Sequence, residues 1–290
     1  MKKSSIIGVL ILCFTFWGKA QVRNEIRVPD PEGYRTLKCD FHIHTVFSDG
    51  LVWPTVRVDE AYREGLDAIA LTEHLEYRPH RQDIIASHNR SYEIAEKTAR
   101  NNQVILIRGS EITRPMAPGH FNAIFLNDCD ALELPMIGTS DIHQPIQTDI
   151  DFARGQHRTM TFVFVRERSA EGIREALLHR RTAGYMDEKV IAEEQWLKEL
   201  FEKSIDIEDI KRNEKSIVIT LKNNSDLTFH LKKTRHNPGL VYFREYTIQP
   251  QCRHRIEIRL ENNIQGGDIN FEITNLYAAP NKGLTYSYKV

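Results

Sequence analysis

Short apolar segments predicted as strands alternate along residues 37–181 with amphipathic segments predicted as helices. The segment 37–42 alternates apolar and polar residues, and the segment 66–71 is mostly apolar, as in a buried strand. Pro54 and Gly65 enclose a predicted helix at 54–64. Such alternation predicts an α/β fold with a parallel sheet. The remaining predicted strands are 104–107, 121–126, 136–139 and 161–165, and the remaining predicted helices are 87–101 and 169–181.

The first predicted strand is followed by a pattern of metal-ligand type. His42 and His44 are two residues apart, which places both imidazoles on one face of a strand. Asp49 follows in a Ser-Asp-Gly turn. Two imidazoles and a carboxylate at a strand end predict a metal site, with a pair of surface histidines as the alternative for this pattern taken alone.

Further histidines and carboxylates stand next to the later predicted strands. Because functional residues gather beyond the carboxyl ends of parallel strands, we expect these side chains to meet. Nitrogen and oxygen donors without thiolate suit Zn, Mn or Fe. The candidate metal ligands are His42, His44, Asp49, His74, Glu111, His120, Asp141 and His143.

In this order the candidates resemble the four motifs of the PHP superfamily, named for polymerase and histidinol phosphatase. The matching motifs are His42-x-His44 with its Ser-Asp-Gly turn, Glu73-His74, Glu111 with Gly119-His120, and Asp141-x-His143. The segments 138–145 and 157–161 are similar to secreted bacterial phosphodiesterases of the Sb-PDE type within that superfamily. The resemblance covers residues 37–184 and implies a distorted βα barrel that hydrolyses phosphoesters with metal ions.

The resemblance also implies how the ligands divide among two to three divalent metal ions. One ion would be held by His42, His44, Glu111 and Asp141, a second by Glu111 and His120, and a third by Asp49, His74 and His143. The nucleophile would be a metal-bound hydroxide between the bridged ions. Asp40 would orient a ligand histidine without itself binding the metal.

Other polar side chains lie near these motifs. Arg114 and Arg158 are candidates to bind a phosphate through bidentate hydrogen bonds, with solvated surface arginines as the alternative. His157 is a candidate acid on the substrate side, or a plain surface histidine. The expected partner is a small phosphoester, because a net charge of −1 argues against bulk binding of nucleic acid.

The interval between His120 and Asp141 is short for a PHP barrel. It contains no histidine, whereas the family carries several βα units and a further ligand there. At about thirty residues per unit, the segment 37–184 holds about five units. The sequence therefore predicts a truncated barrel that lacks a middle segment, with a weakly held second ion.

The rest of the chain divides into further regions. Residues 1–20 combine two lysines at the start, an apolar run and small residues at the end, which predicts a signal peptide and a periplasmic or secreted protein without a transmembrane segment after cleavage. A lipid anchor at Cys13 is the alternative. Alternating segments separated by Asn and Gly turns predict an all-β sandwich at 205–290. Between these regions lie a lead-in at 21–36, the PHP-like domain at 37–187 and a connecting helix at 188–204.

These patterns favour an exported metal-dependent phosphoesterase, in particular a phosphodiesterase. One alternative is a PHP-derived protein that binds metal with little or no turnover because a barrel segment is missing. The other alternative is a metallo-amidohydrolase, since the same ions would serve hydrolysis of a C–N bond.

Overall fold

The computed structural model describes residues 23–290 except 75–76, 78, 81, 85–88, 114–119, 125–136, 152–153 and 280–281. The predicted signal peptide and Arg114 lie outside the described residues. The N-terminal part contains β1 (Arg35–Ile43), α1 (Pro54–Arg63), β2 (Ala68–Leu71), α2 (Arg90–Asn102), β3 (Ile105–Thr113), β4 (His120–Ile124), β5 (Met160–Val165), α3 (Ala170–Leu178), β6 (Thr182–Met186), β7 (Lys189–Ala192) and α4 (Glu194–Ser204). The C-terminal part contains β8 (Ile205–Arg212), β9 (Ser216–Asn223), β10 (Phe229–Lys233), β11 (Leu240–Val241), β12 (Glu245–Ile248), β13 (Arg253–Leu260), β14 (Asp268–Ala279) and β15 (Lys282–Lys289).

The strands of the N-terminal part form an open mixed sheet. β1, β2 and β3 are parallel neighbours, whereas β5 pairs antiparallel with the other edge of β1, and β6 pairs antiparallel with β5. β4 pairs antiparallel with β3. The prediction of a parallel sheet is therefore right for three strands only, and the described strands do not close into the barrel that was expected.

Helix ends follow the local signals in the sequence. Pro54 is the first residue of α1, and Gly65 adopts a φ of +76° just after the helix ends. The Ser169 hydroxyl caps α3 by accepting a hydrogen bond from the N–H of Gly172. These helices are confirmed, although α3 ends at Leu178, earlier than predicted.

The helix predicted at 188–204 begins only at Glu194, and the residues before it form a turn and β7. Asp187 and Glu188 have φ values of +48° and +63°, as in the two central residues of a type I′ hairpin turn. This turn sends β7 back along β6, and Val190 and Ala192 on one face of β7 are buried. The segment 136–139 was predicted as a strand, but its described residues 137–139 form none.

Apolar layers cover both faces of the sheet. α1 and α2 pack on one face through Val58 and Ala95, whereas α3 packs on the other face, which includes the buried Cys39. β14 pairs with β7, so the sheet continues into the C-terminal part, where a second sheet has the order β11-β13-β9-β8. The C-terminal part is all-β, as predicted. Among the described residues, no helix is both long enough and apolar enough to cross a membrane.

Candidate metal centre

Backbone pairing brings together the segments that carry the candidate ligands. The N–H of Asp141 donates to the carbonyl of His42 at 3.0 Å. The N–H of Glu111 donates to the carbonyl of Glu73 at 3.0 Å, beside a bridge between Glu111 and His74. The ends of β1, β2 and β3 and the segment 141–143 therefore meet at one edge of the sheet.

Four ligand atoms form the first group, which we name the Glu111 cluster: His42, His44, Glu111 and Asp141. The Nε2 atoms of the two histidines are 2.9 Å apart, and they lie 2.9 and 3.0 Å from Oε2 of Glu111. Oδ1 of Asp141 lies 3.1 and 3.2 Å from the same two nitrogens. All four atoms lie within 4.8 Å of one another, which is the arrangement needed to surround one cation.

Three further residues form the second group, which we name the Asp49 cluster: Asp49, His74 and His143. The two carboxylate oxygens of Asp49 lie 3.2 Å from Nε2 of His74 and 3.3 Å from Nε2 of His143. Oε2 of Glu111 is 3.5 Å from Nδ1 of His74, so the two clusters adjoin at Glu111. The rings of His74 and His143 both stack on the ring of His44, with centroids 4.6 and 4.4 Å away.

Hydrogen bonds determine which nitrogen carries the proton in two of the histidines. The Ser48 hydroxyl lies 2.7 Å from Glu73 and 3.2 Å from Nδ1 of His44. Because a carboxylate only accepts, Ser48 donates to Glu73 and accepts from Nδ1–H of His44. His143 donates its Nδ1–H to the carbonyl of Asp141 at 2.8 Å. Each ring therefore keeps its Nε2 lone pair for a metal, and His44 serves the Glu111 cluster.

The geometry of both clusters fits bound cations. Ligand atoms about 2.1 Å from one ion lie about 3.0 Å apart in an octahedral site and about 3.4 Å apart in a tetrahedral one. The separations quoted above are 2.9–3.2 Å in the Glu111 cluster and 3.2–3.3 Å in the Asp49 cluster. Oδ1 of Asp49 is also buried without a hydrogen-bond partner, which is costly unless a cation neutralises it.

The charges of the clusters attract a further positive charge. Burial lowers the pKa of His44, but the hydrogen bond to Asp141 and the charges of Asp49 and Glu111 outweigh burial and raise it above its ordinary value. Burial raises the pKa of Asp141, but the neighbouring histidines outweigh burial and lower it. In the absence of metal, the carboxylates therefore favour a proton on His44, which a metal ion must displace.

Arg57, on α1, joins the two loops that carry ligands of both clusters. Its side chain is fully buried, and its guanidinium donates to the carbonyls of His44, Ile142, His143 and Gln144 at 2.7–3.2 Å. It also donates to Glu60 at 2.8 Å, and Glu60 accepts from the N–H of Ile146 at 3.0 Å. The pair therefore fixes the segment 142–146 against the loop after β1.

Asp40 and Arg158 form a second buried pair. Asp40 accepts from Arg158 at 2.9 Å and from the N–H groups of His42 and Ser140 at 3.3 and 3.1 Å. Arg158 also binds both carboxylate oxygens of Glu64. Burial alone would lower the pKa of Arg158, but Glu64 and Asp40 raise it. Asp40 therefore orients the backbone of the ligand segments rather than an imidazole ring.

The structure contradicts the substrate role predicted for Arg158, whereas the role predicted for His157 stays a prediction. Arg158 is 1% exposed and its guanidinium is occupied by two carboxylates, so it does not face a substrate. Burial lowers the pKa of His157, and the charge that opposes this effect is that of Asp226 in the C-terminal part rather than a described ligand. Arg114 and the side chain of His120 lie outside the description, although the backbone of His120 belongs to β4.

Sequence reasoning did not predict that Ser48, Glu73 and Arg57 support the ligands. Ser48 and Glu73 each precede a candidate ligand, and this adjacency was the signal available for them. The signal for Arg57 was its position three residues before Glu60, beside the apolar Val58 and Ala61 on the buried face of α1. A charged pair within an apolar helix face indicates a buried salt bridge.

Comparison with known proteins identifies the family. The fold and the clusters define an α/β protein with a candidate metal centre and an all-β C-terminal part, and residues 204–289 match a family model described as an Ig-like domain (DUF5001). A two-domain protein from Bacteroides vulgatus ATCC 8482, containing a predicted PHP-like metal-dependent phosphoesterase, is 48% identical. The match covers 93% of this chain and 100% of that chain, with a TM-score of 0.89. The chain belongs to this family of PHP-like metal-dependent phosphoesterases.

Other matches are partial. A candidate metal-dependent phosphoesterase from Bifidobacterium adolescentis ATCC 15703 is 27% identical over 30% of this chain and 26% of that chain, with a TM-score of 0.23. An amidohydrolase from Chromobacterium violaceum is 21% identical over 29% of this chain and 25% of that chain, with a TM-score of 0.22. Overlaps of this size carry no argument about fold or chemistry. A search of curated proteins finds no match.

Proposed function

We propose that this protein is an exported phosphodiesterase that uses two to three divalent metal ions. The observation that carries the proposal is that two sets of nitrogen and oxygen ligands adjoin at Glu111. Oε2 of Glu111 lies 3.0 Å from Nε2 of His44 in its own cluster and 3.5 Å from Nδ1 of His74 in the Asp49 cluster. Adjacent cation sites are typical of enzymes that hydrolyse phosphoesters.

The residues of the two clusters supply the ligands and the access that such a reaction needs. Bound divalent ions would polarise the phosphoryl group and lower the pKa of water. The side chains of Asp141, His143 and Asp49 are 52%, 32% and 31% exposed, whereas His44 and Glu111 are buried. The clusters therefore have a deep, water-poor side and an open side from which a small phosphoester can approach.

The finer parts of the proposal rest on the sequence. Preference for diesters is supported by the similarity of 138–145 and 157–161 to secreted phosphodiesterases. Export to the periplasm or the medium is supported by the basic, apolar and small-residue order of residues 1–20. N-terminal sequencing of the exported protein tests the cleavage site: a chain that begins at residue 21 agrees with a signal peptide, and a chain that begins at a lipidated Cys13 would replace the free exported form with a lipid-anchored one.

Turnover of defined substrates tests the activity. The chain from residue 21 onward, loaded with Zn, Mn or Fe, should hydrolyse bis(4-nitrophenyl) phosphate faster than 4-nitrophenyl phosphate and much faster than 4-nitroacetanilide. Asp141→Asn should remove most of this activity, because it withdraws a charge from the Glu111 cluster while preserving the shape of the residue. A metal-loaded protein that hydrolyses none of the three supports the non-catalytic alternative, and preferential cleavage of the anilide supports the amidohydrolase.

The number of ions is a separate part of the proposal. His44 lies within reach of both clusters, and with His44 assigned to the Glu111 cluster that cluster offers four protein ligands and the Asp49 cluster three. The second ion implied by the family resemblance would have Glu111 and His120 only. A catalytic zinc is usually held by three protein ligands. We therefore propose about two tightly held ions per chain, to be counted by elemental analysis after exhaustive dialysis.

A further inference from the structure

Three apolar side chains stand on the loop between β1 and α1, and we name Phe47, Leu51 and Trp53 the apolar rim. Leu51 is 57% exposed and Trp53 is 43% exposed. The ring of Phe47 lies against that of Trp53, with centroids 5.6 Å apart and planes inclined at 51°. Two aromatic rings in contact, one of them on a partly exposed residue, form a surface on which a flat group can pack.

The backbone of the same loop ties the apolar rim to the metal ligands. The N–H of Leu51 donates to the carbonyl of His143 at 2.9 Å. A Cβ on Gly50 would lie 2.5 Å from the carbonyl carbon of His44, so the backbone of Gly50 packs directly against the backbone of that ligand. Leu51 is two residues from Asp49, which limits the distance between their Cα atoms to about 7 Å. This distance is comparable with the length of phenyl phosphate.

Neither capping nor core packing explains the tryptophan. Trp53 is the N-cap residue of α1, and its side chain makes no capping hydrogen bond, whereas Ser, Thr, Asp and Asn are the residues that favour this position. Because α1 starts from the loop that follows β1, Trp53 lies at the sheet edge where the clusters are found. The nearby ligands Asp49 and His143 are themselves partly exposed. The apolar rim therefore borders the open side of the metal centre.

We infer that the apolar rim binds the organic group of the phosphoester and favours flat, ring-bearing groups over small alkyl groups. This inference rests on the proposed function, because it takes the phosphate to lie at the metal ligands. A ring attached to that phosphate can pack on Trp53 and Phe47 with little loss of conformational freedom. A methyl ester of the same phosphate has no ring to make this contact.

Binding measurements on the zinc-loaded protein test the inference without requiring turnover. Calorimetric titration with phenyl phosphate and with methyl phosphate compares two ligands that share the same phosphate. The wild type should bind phenyl phosphate more tightly. Trp53→Ala and Phe47→Ala should each lower the ratio of the two affinities about three- to tenfold. Phe243→Ala is the matched control, because Phe243 is a 74% exposed aromatic residue of the C-terminal part, and this variant should keep the wild-type ratio.

The outcomes separate this inference from the proposed function. Equal affinities in the wild type, or an unchanged ratio in both rim variants, would overturn the role of the apolar rim. If the diester is still hydrolysed in that case, the proposed function stands without it. If neither monoester binds and no phosphoester is hydrolysed, both proposals fail. Retained zinc content and circular dichroism show that the variants are folded.

Discussion

Replacing Arg57 with lysine tests how far the metal ligands depend on a buried guanidinium that contacts them only through their backbone. The Arg57 side chain donates to four carbonyls, three of them in the segment 142–144, and to the carboxylate of Glu60. Lysine keeps the positive charge beside Glu60. It has three donors on one nitrogen in place of five donors on a planar fork.

The expected loss follows from the number of contacts. At least two of the five hydrogen bonds of Arg57 cannot be made by lysine. The carbonyls of Ile142 and His143 also accept from the N–H groups of His44 and Leu51, so those of His44 and Gln144 are the ones that depend on Arg57. A buried carbonyl left without a partner costs about 1–3 kcal/mol, so loss of both hydrogen bonds should lower the free energy of unfolding by about 2–6 kcal/mol. Loss of an outer-shell support commonly weakens metal binding about 10- to 100-fold. We expect the Asp49 cluster to lose most, because His143 lies in the segment that Arg57 holds.

Two titrations provide the measurement. Urea unfolding of the metal-free protein gives the stability, and competition with a chromogenic chelator gives the affinity of each zinc site, with Asp49→Asn used to assign the weakened step. Arg253→Lys is the matched control, because Arg253 forms a bidentate pair with Glu208 at an exposed position. Its stability should stay within about 0.5 kcal/mol of the wild type. A destabilised Arg57→Lys protein that binds both zinc ions with wild-type affinity would refute the link between this clamp and the metal centre.

Four further predictions can be checked on the same protein. His42→Ala and His44→Ala should each lower the zinc content, and wild-type content in both would contradict the Glu111 cluster. Asp141 has a φ of +53°, a backbone conformation that Asn tolerates and the β-branched Val does not. Asp141→Val should therefore lower the melting temperature of the metal-free protein more than Asp141→Asn does. Equal melting temperatures would contradict backbone strain in the valine variant. Burial lowers the pKa of His157 below its ordinary 6.5. The unfolded state therefore binds a proton at this histidine more readily than the folded state, and the free energy of unfolding falls as the pH drops below 6.5. His157→Gln should reduce this fall, and an unchanged pH profile of urea unfolding would contradict it. Deleting 205–290 should yield insoluble protein, because the deletion removes β14 from the edge of β7 and uncovers the buried face of α4. A soluble, zinc-binding product would instead show that the N-terminal part folds alone.

The candidate ligands could be predicted because their signals are local. His42 and His44 alternate on one strand, and each remaining candidate stands beside a short apolar segment. The structure brings seven of the eight candidates into two adjoining clusters, and the side chain of the eighth, His120, lies outside its description. Similarly, Ser169 predicted its helix start because a cap acts over three residues.

The parts that could not be predicted depend on distant contacts. Arg158 was predicted to bind phosphate or to be a surface arginine, but its partners Asp40 and Glu64 are 118 and 94 residues away along the chain. The strand β7 was predicted as helix because Asp187-Glu188 is not one of the Asn-Gly or Asp-Gly pairs that usually mark a type I′ turn. Its pairing with β14 involves a strand nearly ninety residues later, which no local window contains.

The short interval between His120 and Asp141 was the reason to expect little or no turnover, and the open sheet of the described strands weakens that reason. The Glu111 and Asp49 clusters take their residues from the ends of three parallel strands and from the segment 141–143, so their seven ligands are complete without barrel closure. Arg57 binds this segment and the loop after β1, and Asp40 accepts a hydrogen bond from the N–H of the preceding Ser140. Buried charged side chains therefore position a segment that further strands would position in a barrel. The relative from Bacteroides vulgatus matches along its whole length with a TM-score of 0.89, so this fold is shared by at least one other chain. A short interval alone is therefore weak evidence for lost turnover. What it would affect is the proposed second ion, whose remaining candidate ligand, His120, lies on β4 at the edge of the sheet.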